Sequence, residues 1–244
     1  MKPWIAFSNI LMKDMRSYYL KPPNISWGLI FPVAWTLMFF LRSPVAVEVR
    51  DLLPGVMALS ILFGTTSMLA VTITFERKSR SFERLLLAPI SLNLLMLAKT
   101  AGAIIFGVIN AFVPVIFAAF LTSLSGINWL MVLASVVLIA ITSTFLGLFI
   151  AVSVTQVFEA QTFSNFFRFP MLFLCGLFIP LSDLPSFIRP VSYALPLTYG
   201  ADILKTAVSQ NGVIAVPLSF FALVLFSGFL FAYSIYNVNR KWIL

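Results

Sequence analysis

Six of the nine residues from Glu76 to Arg84 carry charge, in a chain where charged residues make up only 10%. Two carboxylates, Glu76 and Glu83, stand among Arg77, Lys78, Arg80 and Arg84, with Phe82, Leu85 and Leu86 interleaved and Pro89 beyond. At about 100° per residue the arginines Arg77, Arg80 and Arg84 share one side of a helix, and Phe82, Leu85, Leu86 and Pro89 share the other. Glu76 precedes Arg80 by four residues, a helical pair worth a few tenths of a kcal/mol. The spacing predicts a short amphipathic helix over 76–89, ended by Pro89. Its chemistry is docking, and two readings compete. The basic face could rest on anionic lipid and fix topology. Alternatively, the apolar face is gripped in a groove of a soluble partner, with charges of both signs setting register.

Covalent chemistry has few candidates. The chain has no histidine, which excludes His-based metal sites, His acid–base catalysis and Ser/His/Asp triads. A single cysteine, Cys175, leaves no intrachain disulfide. No G-x-x-x-x-G-K-[ST] phosphate loop occurs. Asp183 and Asp202 lie outside the apolar runs, and Arg168 is the one ionisable residue inside them. Ion-coupled carriers usually place Asp, Glu or His at mid-membrane, so this pattern counts against them. No catalytic residue and no metal site is assigned.

The elements that position these residues must be membrane helices. Of 244 residues, 61% are hydrophobic and mean hydropathy is +1.03, more apolar surface than a soluble domain can cover. A spanning helix needs about 20 apolar residues. Runs at about 25–41, 54–75, 100–121, 129–154, 163–181 and 213–236 give six expected spans. The first is read as a retained span and not a signal peptide, since no small-residue cleavage site follows it. An even count puts both termini on one side. That side would hold eleven basic residues: Lys2, Lys13, Arg16, Lys21, Arg77, Lys78, Arg80, Arg84, Lys99, Arg240 and Lys241. The other would hold four, Arg42, Arg50, Arg189 and Lys205, so the positive-inside rule puts both termini in the cytoplasm. The net charge of +8 is thus a topology signal and not a nucleic-acid footprint.

Residues 1–22 read as an interfacial amphipathic helix, with Trp4, Phe7, Leu11, Met15 and Tyr18 at helical spacing. It serves either as a plain anchor or as an element that transmits force. Small residues recur every fourth position at Ala103, Gly107 and Ala111 and at Ser143, Gly147 and Ala151, the spacing of close helix packing in lipid. The link between the fourth and fifth spans holds Gln156, Glu159 and Gln161, either a second docking loop or a connecting turn. Arg168 either snorkels to the interface or recognises a phosphate on an amphiphilic substrate. The external segment 182–210 carries Pro185, Pro190 and Pro196 among apolar residues. Such a loop should not lie free in water. It is read as two short re-entrant segments broken by prolines, or as a packed lid.

Two motifs carry a family resemblance. "ERKSRSFERLLLAP" resembles the cytoplasmic loop of type-2 ABC export permeases, roughly E-R-x-x-G-T-L-E-x-L-L-x-x-P, through Glu76, Arg77, Glu83, Leu85, Leu86 and Pro89. Ser81 and Phe82 stand where Thr and Leu are frequent, and Arg80 where Gly is usual. "GLFIPLSDLP" followed by Pro196-Leu197 is similar to the family's G-x-x-F/I-P-x-x-x-L-P region, through Gly176, Pro180, Leu184 and Pro185. The family often carries an arginine near Leu204, where this chain offers Lys205.

The resemblance implies an all-α membrane protein working as a permease. It implies six transmembrane helices, a cytoplasmic coupling helix at 76–89 and a re-entrant external hairpin serving as an outer gate, beside the N-terminal interfacial helix read from its spacing. Gly176, Pro180, Leu184, Pro185, Pro190, Pro196 and Leu197 would belong to that gate. It further implies a homodimer in the cell membrane, docked on two copies of a cytoplasmic ABC ATPase that binds ATP and Mg. The cargo expected is a drug, a lipid or a lipid-linked glycan, moved outward. A membrane scaffold that recruits a soluble partner, or a nucleotide-independent channel or carrier, would fit the same composition.

Overall fold

The computed structural model describes residues 3–30, 32–34, 37–38 and 48–243, and every regular element among them is helical. The chain opens with α1 (Pro3–Asp14), which runs on as a wider π-helical turn through Met15–Tyr19. A short α2 (Pro22–Ile25) and a π turn at Ser26–Ile30 follow. Then come α3 (Val49–Lys78), α4 (Ser81–Leu86), α5 (Leu92–Leu121), α6 (Trp129–Ser153) and α7 (Val157–Leu174). Beyond a 3-10 turn at Leu181–Asp183 lie α8 (Arg189–Tyr193), α9 (Pro196–Ser209) and α10 (Val216–Val238), and a π turn at Asn239–Ile243 closes the described chain.

Four of the described helices, α3, α5, α6 and α10, are long and apolar enough to cross a bilayer. They contain, to within a few residues at each end, the runs expected at 54–75, 100–121, 129–154 and 213–236. The run at 163–181 is displaced. Its helix starts at Val157 and stops at Leu174. Glu159 reaches back to the amides of Thr155 (3.0 Å) and Gln156 (3.1 Å), satisfying orphan donors of the first turn and fixing the earlier start. Within the run expected at 25–41, residues 31, 35, 36 and 39–41 lie outside the described residues.

Helix α3 is the axis of the bundle, packed against α5, α6, α7 and α9. Small residues set the approach. A Cβ on Gly147 of α6 would sit 2.4 Å from the carbonyl oxygen of Thr66 on α3, so the two backbones are in contact there. Gly107 of α5 likewise takes the Thr65 methyl group, with Ala140 of α6 beside it. Without glycine at these positions the helices would have to part. The core that results joins Met57, Ile61 and Leu62 of α3 to Val136 and Ile139 of α6 and Leu204 of α9.

Helix α1 lies against α5. Its buried stripe is Ala6, Ile10 and Asp14, continued by Tyr19, whose ring rests on Gly102. Phe7, Leu11, Met15 and Tyr18, expected to lead the apolar face, are half-buried on its flank, and Trp4 is exposed. The face turns by about one residue because a carboxylate, Asp14, is drawn inward.

Candidate functional site

At the end of the bundle where α3 stops, four charged side chains meet. Glu76, in the last turn of α3, receives Lys13 at 2.6 Å and is bonded by Lys99 of α5. Lys99 also pairs with Asp14 of α1 at 3.0 Å, and Lys13 with Asp14 at 3.2 Å. Glu76, Lys99 and Asp14 are all but closed to solvent, and only Lys13 is partly exposed. Two ammonium groups and two carboxylates cancel, which is what makes so dry a cluster tolerable. Burial pushes the Asp14 carboxyl above its ordinary range, against the pull of Lys99 and Lys13. For Lys13 burial acts downward, but the Glu76 hydrogen bond and the Asp14 charge outweigh it and raise the pKa. Helices α1, α3 and α5 are thereby joined just ahead of α4.

The loop that follows corrects the expected 76–89 helix. Residues Glu76, Arg77 and Lys78 complete α3, a turn intervenes, and α4 is only Ser81–Leu86. The break falls at Arg80, whose φ of 57° lies in the left-handed region that glycine favours. This is the position where the resemblance implied Gly. Glu76 therefore does not form the expected i,i+4 helical pair with Arg80. It is also too deeply buried to touch a soluble partner.

Phe82, expected as an anchor for such a partner, is buried as well. Its ring meets Trp242 edge-on at 5.1 Å, and the Arg77 guanidinium lies 4.1 Å over the same indole. Arg77 also donates to the Val154 carbonyl at 3.2 Å, and Lys78 to the Gln156 side chain at 3.1 Å. Thus α4 packs on Trp242, and the end of α3 just before it is held to the turn that precedes α7. Its outward residues are Arg80, Glu83, Arg84, Leu87 and Pro89, with Leu85 and Leu86 half-covered. Leu87 is 86% exposed. Lys99, counted from the sequence as an interfacial topology charge, is instead fully enclosed. Sequence reasoning also passed over Asp14 and Trp242 as parts of this site.

The second expected loop divides by role. Glu159 caps α7, Gln156 accepts from Lys78, and Gln161 lines a cavity of about 320 Å³ between α3 and α7. Arg168, two turns beyond Gln161, does not snorkel outward. It turns onto α3, donating to Ser67 Oγ at 3.0 Å and to the Phe63 carbonyl at 3.5 Å, with the guanidinium 4.4 Å over the Phe63 ring. Its other terminal nitrogen donates to Asn165 at 2.5 Å.

At the opposite end of the bundle, α3 being about 45 Å long by its 1.5 Å rise per residue, the expected gate residues are spread over turns. Gly176 takes a φ of 72°, Leu184 and Leu197 are buried, Pro196 opens α9, and Pro180, Pro185 and Pro190 are exposed. Arg189 donates to the Leu184 carbonyl at 2.9 Å and to that of Ser182 at 2.5 Å, tying α8 to the preceding turn. Helix α9 is packed into the bundle against α6, α10 and α3. Arg50 donates to the carbonyl of Val208 at 2.9 Å, covering an orphan acceptor at the C-terminal end of α9. Lys205 reaches the Gly176 carbonyl, and burial lowers its pKa despite Asp202 and Asp51 nearby.

Comparison with known proteins agrees with this architecture. Residues 5–208 match the family described as ABC-2 type transporter. The inner membrane transport permease YadH of Escherichia coli (strain K12) is 22% identical over 204 residues, 80% of each chain. The ABC transporter permease protein NatB of Bacillus subtilis (strain 168) is 27% identical over 221 residues, 82% of this chain and 55% of that protein. Nodulation protein J of Sinorhizobium fredii is 25% identical over 198 residues, 79% of this chain and 74% of that one.

Proposed function

The chain belongs to the ABC-2 type transporter family and is a transport permease of the membrane, and from that premise we propose that it moves a hydrophobic or amphiphilic cargo out of the cytoplasm. In this reading ATP and Mg are bound by a separate cytoplasmic ATPase, present in two copies, and two permease copies form a homodimer. Six spans per chain put both termini, α1 and α4 on the cytoplasmic side. The turns from Gly176 to Leu197, with α9, form the outer gate. Drugs, lipids and lipid-linked glycans are the cargo classes considered.

The observation that carries this reading is the form of α4. Its inner face packs on Trp242 through Phe82, and its outer face offers Glu83 and Arg84, with the bare apolar side chain of Leu87 at its C-terminal cap and Pro89 just beyond. An apolar knob ringed by charges of both signs suits insertion into a groove, with charge setting orientation. Force applied at α4 would pass directly into α3, α5 and α1 through the Glu76 cluster.

The test is reconstitution. The permease, co-purified with a candidate cytoplasmic ABC ATPase and placed in proteoliposomes, should accumulate a hydrophobic fluorescent cargo only with ATP. Cargo movement without nucleotide would establish the channel or carrier instead. A stable ATPase complex that moves no cargo from any class would establish the scaffold.

A further inference from the structure

Among the described residues Arg168 is a charge without a counter-charge. It is 3% exposed, its hydrogen-bond partners are the neutral groups of Ser67, Phe63 and Asn165, and its Nε has no partner. Among the described residues it makes no ion pair, whereas Glu76 and Lys99, equally buried, are matched carboxylate to ammonium. Arginine does not shed its proton to escape such a setting, and a buried charge left unpaired is costly. Nor is the side chain placed merely to fill space, because it lines an open cavity of about 320 Å³.

That cavity has a direction. Phe63, Met68 and Val71 form its α3 wall, and Gln161 and Arg168 its α7 wall. Seven residues along α7 and eight along α3 span roughly 10–12 Å at 1.5 Å per residue. The exposed amide of Gln161 lies towards the α4 end, and the guanidinium lies deep. The volume falls at the low end of small-molecule sites, about 300–1,000 Å³; Ser67 lies beside the guanidinium, and Met68 and Val71 line the stretch towards Gln161.

Resting on the permease reading above, we propose that this slot receives the anionic group, a phosphate or carboxylate, of an amphiphilic cargo. The anion would pair with Arg168 and the apolar part lie along Phe63, Met68 and Val71. A planar guanidinium with a free N–H suits an oxyanion better than a neutral or cationic head.

The test is binding to the purified full chain in phosphatidylcholine nanodiscs, without ATPase or nucleotide, read as ligand-dependent thermal stabilisation. The probes are decyl phosphate, decanol, decyltrimethylammonium and inorganic phosphate. Decyl phosphate should bind at least about tenfold more tightly than decanol, the worth of one charge-assisted contact. Arg168→Gln should erase that difference, and Arg168→Lys should keep part of it. Val71→Trp, which fills the slot and leaves the arginine in place, should abolish decyl phosphate binding and so carries the test if Arg168→Gln fails to fold. Equal binding of decyl phosphate and decanol would overturn the proposal, as would binding unaffected by Val71→Trp. Competition by inorganic phosphate at equal concentration would show a free-anion site and overturn the amphiphile. Because no ATPase is present, failure of ATP coupling would defeat the export reading and leave this one standing.

Discussion

Lys99 Nζ lies 3.0 Å from Asp14 Oδ2, joining residues 85 positions apart across a contact closed to solvent. Removing one partner of such a cluster strands the others. Lys99→Met should therefore destabilise the protein by about 3–5 kcal/mol, read as a lowered thermal midpoint in detergent. Lys99→Met with Glu76→Gln, which leaves Lys13 and Asp14 as a neutral pair, should recover part of the loss. A single variant as stable as wild type would mean that α1 is held by its apolar stripe alone.

Arg80 occupies a backbone conformation that costs a side-chain-bearing residue about 1–2 kcal/mol. Arg80→Gly should keep the turn between α3 and α4 and leave the thermal midpoint equal or higher, by up to about 1 kcal/mol after glycine's extra chain entropy. Arg80→Val should lower it, since a β-branched residue tolerates the left-handed region worst. The opposite order would show that the guanidinium contributes more than the turn.

These two sites show where the sequence was readable. Helices α5, α6 and α10 announce themselves as apolar runs, and Gly107 and Gly147 as packing positions by their four-residue spacing. Hydropathy alone starts α7 too late, because it discounts Glu159, whose carboxylate caps the helix. The Glu76 cluster was hidden for a related reason, since periodicity assigns charged residues to the solvent face. Two cues were nonetheless present. Asp14 is the only acidic residue before Glu48, and Lys99 the only charged one within α5. Trp242 could not be paired with Phe82 from spacing, because 160 positions separate them and only the tertiary fold brings the chain's end beneath α4.

Gly147→Ala should be among the most damaging single-methyl additions in the molecule. Its Cβ would meet backbone, the Thr66 carbonyl oxygen at 2.4 Å, which no rotamer change can relieve. Overpacking of this kind costs about 1–3 kcal/mol. Gly228→Ala in α10, with nothing within 4 Å of the added carbon, is the matched control and should leave the thermal midpoint unchanged or slightly raised. Equal effects at the two positions would mean that α3 and α6 can separate freely.

Phe82 and Leu87 lie five residues apart, and under the proposed ATPase contact they separate bracing from docking. Phe82→Ala removes a ring buried against Trp242 and should lower the thermal midpoint, with large-to-small changes of a buried Phe costing about 3–5 kcal/mol. Its weakened ATPase binding should then be restored by cooling or by added stabilising lipid, since the docking residues are intact. Leu87→Ala touches little of its own chain, so its midpoint should match wild type within about 0.5 kcal/mol. Its affinity for the ATPase should fall by about tenfold, as expected for a central apolar contact, and no temperature should restore it. Co-purification yield and thermal midpoint, measured on both variants, distinguish the two roles. If Leu87→Ala binds the ATPase like wild type while Glu83→Lys does not, the contact is electrostatic and the exposed leucine belongs to the lipid boundary.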